Sequence, residues 1–258
     1  MQLTSTRNSL LQKIRKAAQT GRPTEEGWII AEGPHLLAEA LRGKWAIEKI
    51  FATPEAMERH RKLLLRPDAE IIEVSARAFA STAETQTGQG ILAALLPPTW
   101  SWEDIASGES LLVILDGVQD PGNAGTIARS AEAFGATGLV FLEGCARVSN
   151  GKLLRASAGS IFRLPFLEGV PRADAVGWLR LSQMKIFGLS ADGGLSLLNT
   201  DFRGRCALLT GAEGTGLSAE IAAVAQAVTI PTATVESLNA AVACSVALFE
   251  AARQRRMV

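Results

Sequence analysis

The stretch ILDGVQDPGNAGTIARSAEAFGA, residues 114–136, opens as an apolar strand and closes as an amphipathic helix, with Asp, Asn, glycines and a single Arg at the junction. Asp120, Pro121 and Gly122 make a turn, Asn123 is placed to cap the helix, and Gly125 leaves room for a close backbone approach. Ile127, Ala131 and Phe134 form an inward stripe. Arg129 lies two positions from Ile127, about 200° around the helix, and points away from that stripe. Taken alone, this loop reads as a solvated arginine beside a capped turn before it reads as a ligand contact.

Reading outward, buried strands are expected at 111–115, 138–142, 185–190, 206–210 and 228–230, separated by helical segments. That alternation makes an α/β fold with a mainly parallel sheet covered on both faces. Towards the N-terminus, GWIIAEG, IEKIFAT, AEIIEVS and GILAALL read as short strands, with helical patterns around 34–42 and 54–64, a second and smaller α/β domain. The prolines, tryptophans and small polar residues of LLPPTWSWEDIASGES, residues 95–110, mark the boundary between them. The expected division is therefore a domain over 1–97, a linker over 98–107 and a larger domain over 108–258.

Ligands of open parallel sheets gather beyond the carboxyl ends of the strands. Two further loops follow strands in this way. LLTGAEGTGLS, residues 208–218, sets Gly211, Gly214 and Gly216 around Glu213, where bare backbone lets a planar ligand lie close. Its glycine order is neither that of a dinucleotide fingerprint nor that of a phosphate-binding Walker loop, and a plain helix lead-in fits it equally well. TIPTATVESLNAAVACSVALFEAARQR, residues 229–255, runs through polar, β-branched residues into a last helix that is apolar nearly all round. Leu238, Val242, Ser245, Val246 and Phe249 make one stripe of that helix, and the remainder is small and apolar. Such a helix needs cover on more than one side, which a second subunit would supply. The face carrying Ala240, Ala243, Ala247 and Ala251 is the expected contact.

The chain has 258 residues, 47% of them hydrophobic, enough for a sizeable core, and its 26 basic and 26 acidic residues cancel. A nucleic-acid partner must then be met by local patches. The first 22 residues carry Arg7, Lys13, Arg15, Lys16 and Arg22 and no acid. Organellar transit peptides share that pattern, but Leu10, Leu11 and Ile14 also make an ordinary amphipathic helix, which is the reading taken, with RNA contact added. A second acid-free basic run holds Arg147, Lys152, Arg155 and Arg163. No run approaches the ~18 apolar residues of a membrane span and no secretory signal is evident, so a cytoplasmic protein without a membrane partner is expected. Cys145, Cys206 and Cys244 are odd in number and widely spaced, and only His35 and His60 accompany them, so neither disulfides nor a metal site is expected.

Together DPGNAGTIAR, LTGAEGTGLS and IPTATVESLNAAVA resemble, in this order, the three motifs of the SpoU (TrmH-like) ribose 2′-O-methyltransferases of the SPOUT class. The resemblance takes in NGKLLRASAGS, residues 150–160, and, less specifically, IIAEGPHLLAEAL and QTGQGILAALL, which look like the family's accessory L30e-like RNA-binding domain. It implies a C-terminal SPOUT domain with a trefoil knot, S-adenosylmethionine held bent on the knotted loops, and a homodimer through the C-terminal domain. By matching position, Thr210, Gly211, Gly214, Ile230 and Leu238 hold the cofactor, while Asn123, Arg129, Glu213, Ser237 and Asn239 serve the reaction. RNA contacts fall to Arg7, Lys13, Arg15, Lys16, Arg22, Arg147, Lys152 and Arg155.

The implied reaction is methylation of a ribose 2′-hydroxyl in structured RNA, ribosomal RNA before transfer RNA. Thr232 stands where the family usually has Met, and Thr234 where a glycine is often found, which bears on the shape of the adenine pocket. The rival readings are a non-catalytic RNA-binding or ribosome-associated relative, a tRNA 2′-O-methyltransferase, and a nucleotide-dependent oxidoreductase. The last predicts a dinucleotide fingerprint that the chain lacks.

Overall fold

The computed structural model describes residues 2–65, 68–83 and 89–256. Its elements are, in chain order, β1 (Gln2–Leu3), α1 (Ser9–Thr20), β2 (Ile29–Glu32), α2 (Pro34–Ala40), β3 (Ala46–Ala52), α3 (Pro54–Arg59), α4 (Arg61–Leu64), β4 (Glu70–Val74), α5 (Ala76–Ala80) and β5 (Ile91–Leu96). There follow α6 (Trp102–Ile105), β6 (Leu111–Asp116), α7 (Pro121–Ala133), β7 (Gly138–Leu142), α8 (Gly151–Ala156), β8 (Phe166–Val170), α9 (Arg172–Leu181) and β9 (Lys185–Leu189). The chain closes with β10 (Leu195–Ser196), β11 (Cys206–Gly211), α10 (Ala219–Ala222), β12 (Gln226–Thr229) and α11 (Ala240–Gln254).

Two compact units result, one of Met1–Thr99 with Arg147–Arg163, the other of Trp100–Ala146 with Leu164–Val258. The first holds a five-stranded mixed sheet in the order β1-β4-β3-β5-β2, in which β5 runs antiparallel to both neighbours. Strand β5 is buried from Ile91 to Leu95, and α1 closes one face with Leu11, Ile14 and Ala17. Asn8 caps α1 through its Oδ1, which accepts the Leu10 and Leu11 N–H groups at 3.0 and 3.2 Å, and Gly21 ends it at φ 59°. The strands and helices expected here are present, and β1 and α5 are additions. Of QTGQGILAALL, residues 86–88 lie outside the described residues.

Two departures from the expected division have clear physical causes. Residues 98–107, read as a linker, carry α6, whose Ser101 and Asp104 form a reciprocal capping box. Ile105 is fully buried in the core of the second unit, and Trp102 stacks on Trp178 with ring centroids 4.3 Å apart. In the other departure, the basic segment after β7 groups with the first unit. Leu153, Leu154, Ile161 and Phe162 are buried, Trp45 meets Phe162 edge-on, and Ser149 Oγ donates to the Gly21 carbonyl at 2.6 Å.

The second unit holds a seven-stranded sheet in the order β10-β12-β9-β11-β6-β7-β8. All its pairings are parallel. The five expected strands are found within a residue or two, and β8 and the short β10 are additional. Six residues of β6 and six of β11 are buried, as central strands covered on both faces must be.

Helix α11 reverses the expected use of its faces. Ala241, Cys244, Ala247, Leu248, Ala251 and Ala252 are buried in the chain's own core, whereas Val242, Val246 and Phe249 are 48%, 38% and 49% exposed. Small residues let α11 approach β11 and α7 closely, so the bulky stripe is left outside. Ala247 and Ala251 therefore offer no contact face. Among the described residues no helix is long and apolar enough to cross a membrane.

Candidate functional site

Because the strands of the second unit are parallel, the loops after β6, β9, β11 and β12 leave from one edge of the sheet. After β6, Asp120 and not Asn123 caps α7, its Oδ1 accepting the Asn123 N–H at 2.9 Å, with Pro121 in the first helical position. The cap places Asn123 in the first turn with its side chain free to reach across the loop. After β11 the chain doubles back, and Ala212 and Gly216 exchange backbone hydrogen bonds of 3.1 and 3.0 Å, while Gly214 and Gly216 take φ of 82° and 67°. Glu213 stands on that turn. After β12 a bent, mostly polar run leads to Asn239, the cap of α11, whose Oδ1 accepts the Ala241 and Val242 N–H groups at 2.9 and 3.2 Å.

These three loops meet through one hydrogen-bonded network. Asn123 Nδ2 donates to Glu213 Oε1 at 2.9 Å, and Asn239 Nδ2 donates both to the same Glu213 oxygen and to Asn123 Oδ1, the latter at 3.2 Å. The donor and acceptor assignment is self-consistent. Asn239 Oδ1 is committed to backbone N–H groups, which turns its amide nitrogen towards the acceptor-only carboxylate. Helices α7 and α11, which carry the two Asn residues, are further joined by Ser130 Oγ and Ser245 Oγ at 2.7 Å and by an edge-on Phe134–Phe249 contact at 5.7 Å.

Beside the network lies a cavity of about 530 Å³, within the range of small-molecule sites. Thr210, Gly211, Gly214, Ile230 and Leu238 all line it, as do Glu213 and Ser237. Gly211 is a requirement of close approach: a Cβ there would stand 2.1 Å from the Gly216 carbonyl carbon and 2.4 Å from the Leu217 nitrogen. Arg129 is placed otherwise. It sits on the exposed face of α7 and joins neither the network nor the cavity wall.

Sequence reading missed several contributors. Asp116, 2% exposed, splits its carboxylate between Arg172 Nε at 2.8 Å and the Ser218 N–H at 2.7 Å, pinning the far end of the glycine-rich loop to β6. It looks like the last residue of an apolar strand, and only a contact 102 positions away reveals its use. The turn from Ser190 to Asp192 and Glu236 also line the cavity. The rule that found the other loops, carboxyl ends of parallel strands, applies equally to the turn after β9. Burial pushes the Cys244 thiol up to about 12 and raises that of Cys145, which leaves neither suited to nucleophilic work. Among the described residues no group of three or more His, Cys, Asp or Glu is placed to hold a metal.

The basic residues sort unevenly. Arg7, Lys16, Arg22 and Arg147 are exposed. Lys13 is instead engaged by Glu26 at 2.8 Å and Glu25 at 3.5 Å, acids just beyond the stretch that reads as purely basic, and its hydrogen bond holds the Glu26 carboxyl at about 2. Arg15 is half-buried. Arg163 pairs with Glu39 at 2.6 Å, while Lys152 and Arg155 remain at the surface. The Ser149–Gly21 bond brings the second basic run to the end of α1.

Residues 110–249 match the family model described as the SpoU rRNA Methylase family, and residues 8–93 match an MRM3-like substrate binding domain. An uncharacterised tRNA/rRNA methyltransferase of Synechocystis sp. is 33% identical, the match covering 98% of this chain and 94% of that protein. The 23S rRNA (guanosine(2553)-2′-O)-methyltransferase RlmP of Bacillus subtilis is 30% identical over 96% of this chain and 98% of its own. Among solved structures, the SpoU methyltransferase AviRb of Streptomyces viridochromogenes, in complex with AdoMet, superposes with a TM-score of 0.87 at 27% identity, covering 97% of this chain and 99% of that one.

Proposed function

The chain belongs to the SpoU rRNA methylase family, and from that premise we propose that it transfers a methyl group from S-adenosylmethionine to a ribose 2′-hydroxyl of ribosomal RNA. The observation that carries this reading is the cavity walled by Thr210, Gly211, Ile230 and Leu238 and bordered by the Asn123–Glu213–Asn239 network. The cradle fits the cofactor in kind: Gly214 and Gly216 bare the backbone of the glycine-rich loop on the cavity wall, with no atom within 4 Å of where a Cβ would stand at either. AdoMet-bound AviRb supports the same assignment.

Bound S-adenosylmethionine supplies an electrophilic sulfonium methyl. The chain's own residues have to align the ribose for in-line attack and stabilise its oxygen as the proton leaves. Glu213, held by two amide donors, presents a fixed carboxylate at the cavity's border; Asn123, Asn239 and Ser237 orient the groups around it. Arg129 meets the RNA from the exposed face of α7. A guanidinium keeps its proton, so its role is charge stabilisation and positioning and not that of a base.

The first unit reads as an L30e-like substrate binder, a view supported by the family match over 8–93. Arg7, Lys16, Arg22 and Arg147, with Lys152 and Arg155, would contact phosphate there, with Lys13 and Arg15 in lesser roles. The second unit is the SPOUT domain, its loops after β11 and β12 those of a trefoil knot. A cytoplasmic site of action belongs to this reading, and the rRNA-modifying relatives are consistent with it. The test is methyl transfer from labelled cofactor to separated ribosomal and transfer RNAs, with the modified ribose mapped. Incorporation into ribosomal RNA is the expected result, and labelling of transfer RNA alone, or of neither, overturns it.

The exposed stripe Val242, Val246 and Phe249 supports a homodimer through α11. Two-fold symmetry uses the patch twice, so Val246→Glu brings two charges into one apolar contact. Sedimentation of the native protein is expected to give dimers at micromolar concentration and that of the variant monomers. A dimer unaffected by the substitution would put the interface elsewhere.

A further inference from the structure

Every charged side chain on the cavity wall is a carboxylate: Asp192, Glu213 and Glu236, with no Lys, Arg or His among the described lining residues. Glu213 receives amide donors, which are neutral and leave its charge in place. Asp192 and Glu236 make no ion pair among the described residues, so nothing in the described chain cancels them. They come from different loops, after β9 and after β12, strands that neighbour each other in the sheet, and both line the one space.

The consequence depends on the methyltransferase reading above. In the reaction the bond from sulfur to the methyl carbon breaks and a bond from the ribose oxygen to that carbon forms. The pair of the broken bond stays on sulfur, and the hydroxyl proton leaves to solvent. S-adenosylmethionine carries a sulfonium, an ammonium and a carboxylate, net one positive charge; the demethylated S-adenosylhomocysteine has lost the sulfonium charge and is net neutral. A wall of one sign therefore acts differently on the two. We infer that the cavity selects the cationic donor over its product by charge, with Asp192 and Glu236 as the specificity-determining residues. The shape of the wall treats adenosine and the amino-acid tail alike in both molecules. The two differ by one methyl group and by one positive charge; the charge is what carboxylates read at a distance, and its loss favours release of the product once transfer has occurred.

The test is calorimetric binding of S-adenosylmethionine, S-adenosylhomocysteine and sinefungin, a non-reacting analogue in which an amine-bearing carbon replaces the sulfonium. Full-length native protein, Asp192→Asn, Glu236→Gln and the double variant are compared. Both positions are exposed, so water and salt weaken each effect, and single variants are expected to weaken the two cationic ligands about two- to threefold, the double variant about fivefold or more. Affinity for S-adenosylhomocysteine is expected to stay within a factor of about two. Raising salt should erode the donor's advantage in the native protein and leave it flat in the double variant. Equal weakening of all three ligands would mean that the two residues only shape the loops, and no change in any would mean that the charges do not reach the ligand; either overturns the inference. A native protein that binds none of the three fails the methyltransferase reading itself, a distinct outcome.

Discussion

Replacing Arg129 with alanine is expected to lower methyl-transfer turnover by roughly a hundredfold or more, the usual scale for loss of a preorganised charge contact to a developing oxyanion. The same variant should keep its fold and its cofactor affinity. Arg129 is exposed on α7 and takes no part in the cavity wall, so the affinity for S-adenosylmethionine has no reason to move. Its removal leaves no buried partner unpaired. The two readouts are single-turnover transfer to RNA and cofactor titration, with thermal melting as the control. Turnover within a few fold of native would remove Arg129 from the reaction, and a parallel loss of cofactor binding would assign it to the cofactor instead.

Gly211→Ala is expected to abolish measurable cofactor binding. The added methyl would sit 2.1 to 2.4 Å from the backbone of Gly216 and Leu217, and backbone cannot step aside as a flexible side chain does. Either β11 or the turn closed by Ala212 and Gly216 must move, and both form the cavity wall. Overpacking of this kind costs about 1–3 kcal/mol, so the melting temperature should fall while the chain still folds. Gly214→Ala is the comparison. No atom lies within 4 Å of that position, but its φ of 82° strains an L residue, so a milder loss is expected. Binding by Gly211→Ala within about threefold of native would mean that the tight turn is not the cofactor's cradle.

Much was legible in the chain itself. Strand positions in the second unit follow from short apolar runs whose burial on both faces needs no partner to be recognised, and the loops that matter follow from the rule of carboxyl ends. Thr210, Gly211, Gly214, Ile230 and Leu238, chosen by resemblance, line one cavity, and Asn123, Glu213 and Asn239, from three separate motifs, share hydrogen bonds. Other features were decided by tertiary contacts. By its place in the chain Asn123 suits a cap, but Asp120 takes that position. Residues 147–163 read as part of the catalytic segment, but their apolar side chains and Ser149 are satisfied in the first unit, so removal of residues 1–99 would strip Leu153, Leu154 and Phe162 of their partners. The faces of α11 were inverted because its pattern is apolar all round, and only the closeness of α7 and β11 says which side must be small. Asp116 and the pairing of Lys13 belong to the same class. Periodicity, caps and glycine spacing are short-range properties that the chain carries wherever it goes; which helix face is buried, which charge is cancelled and which carboxylate pins a loop depend on contacts between residues distant in sequence, and those exist only once the chain has folded.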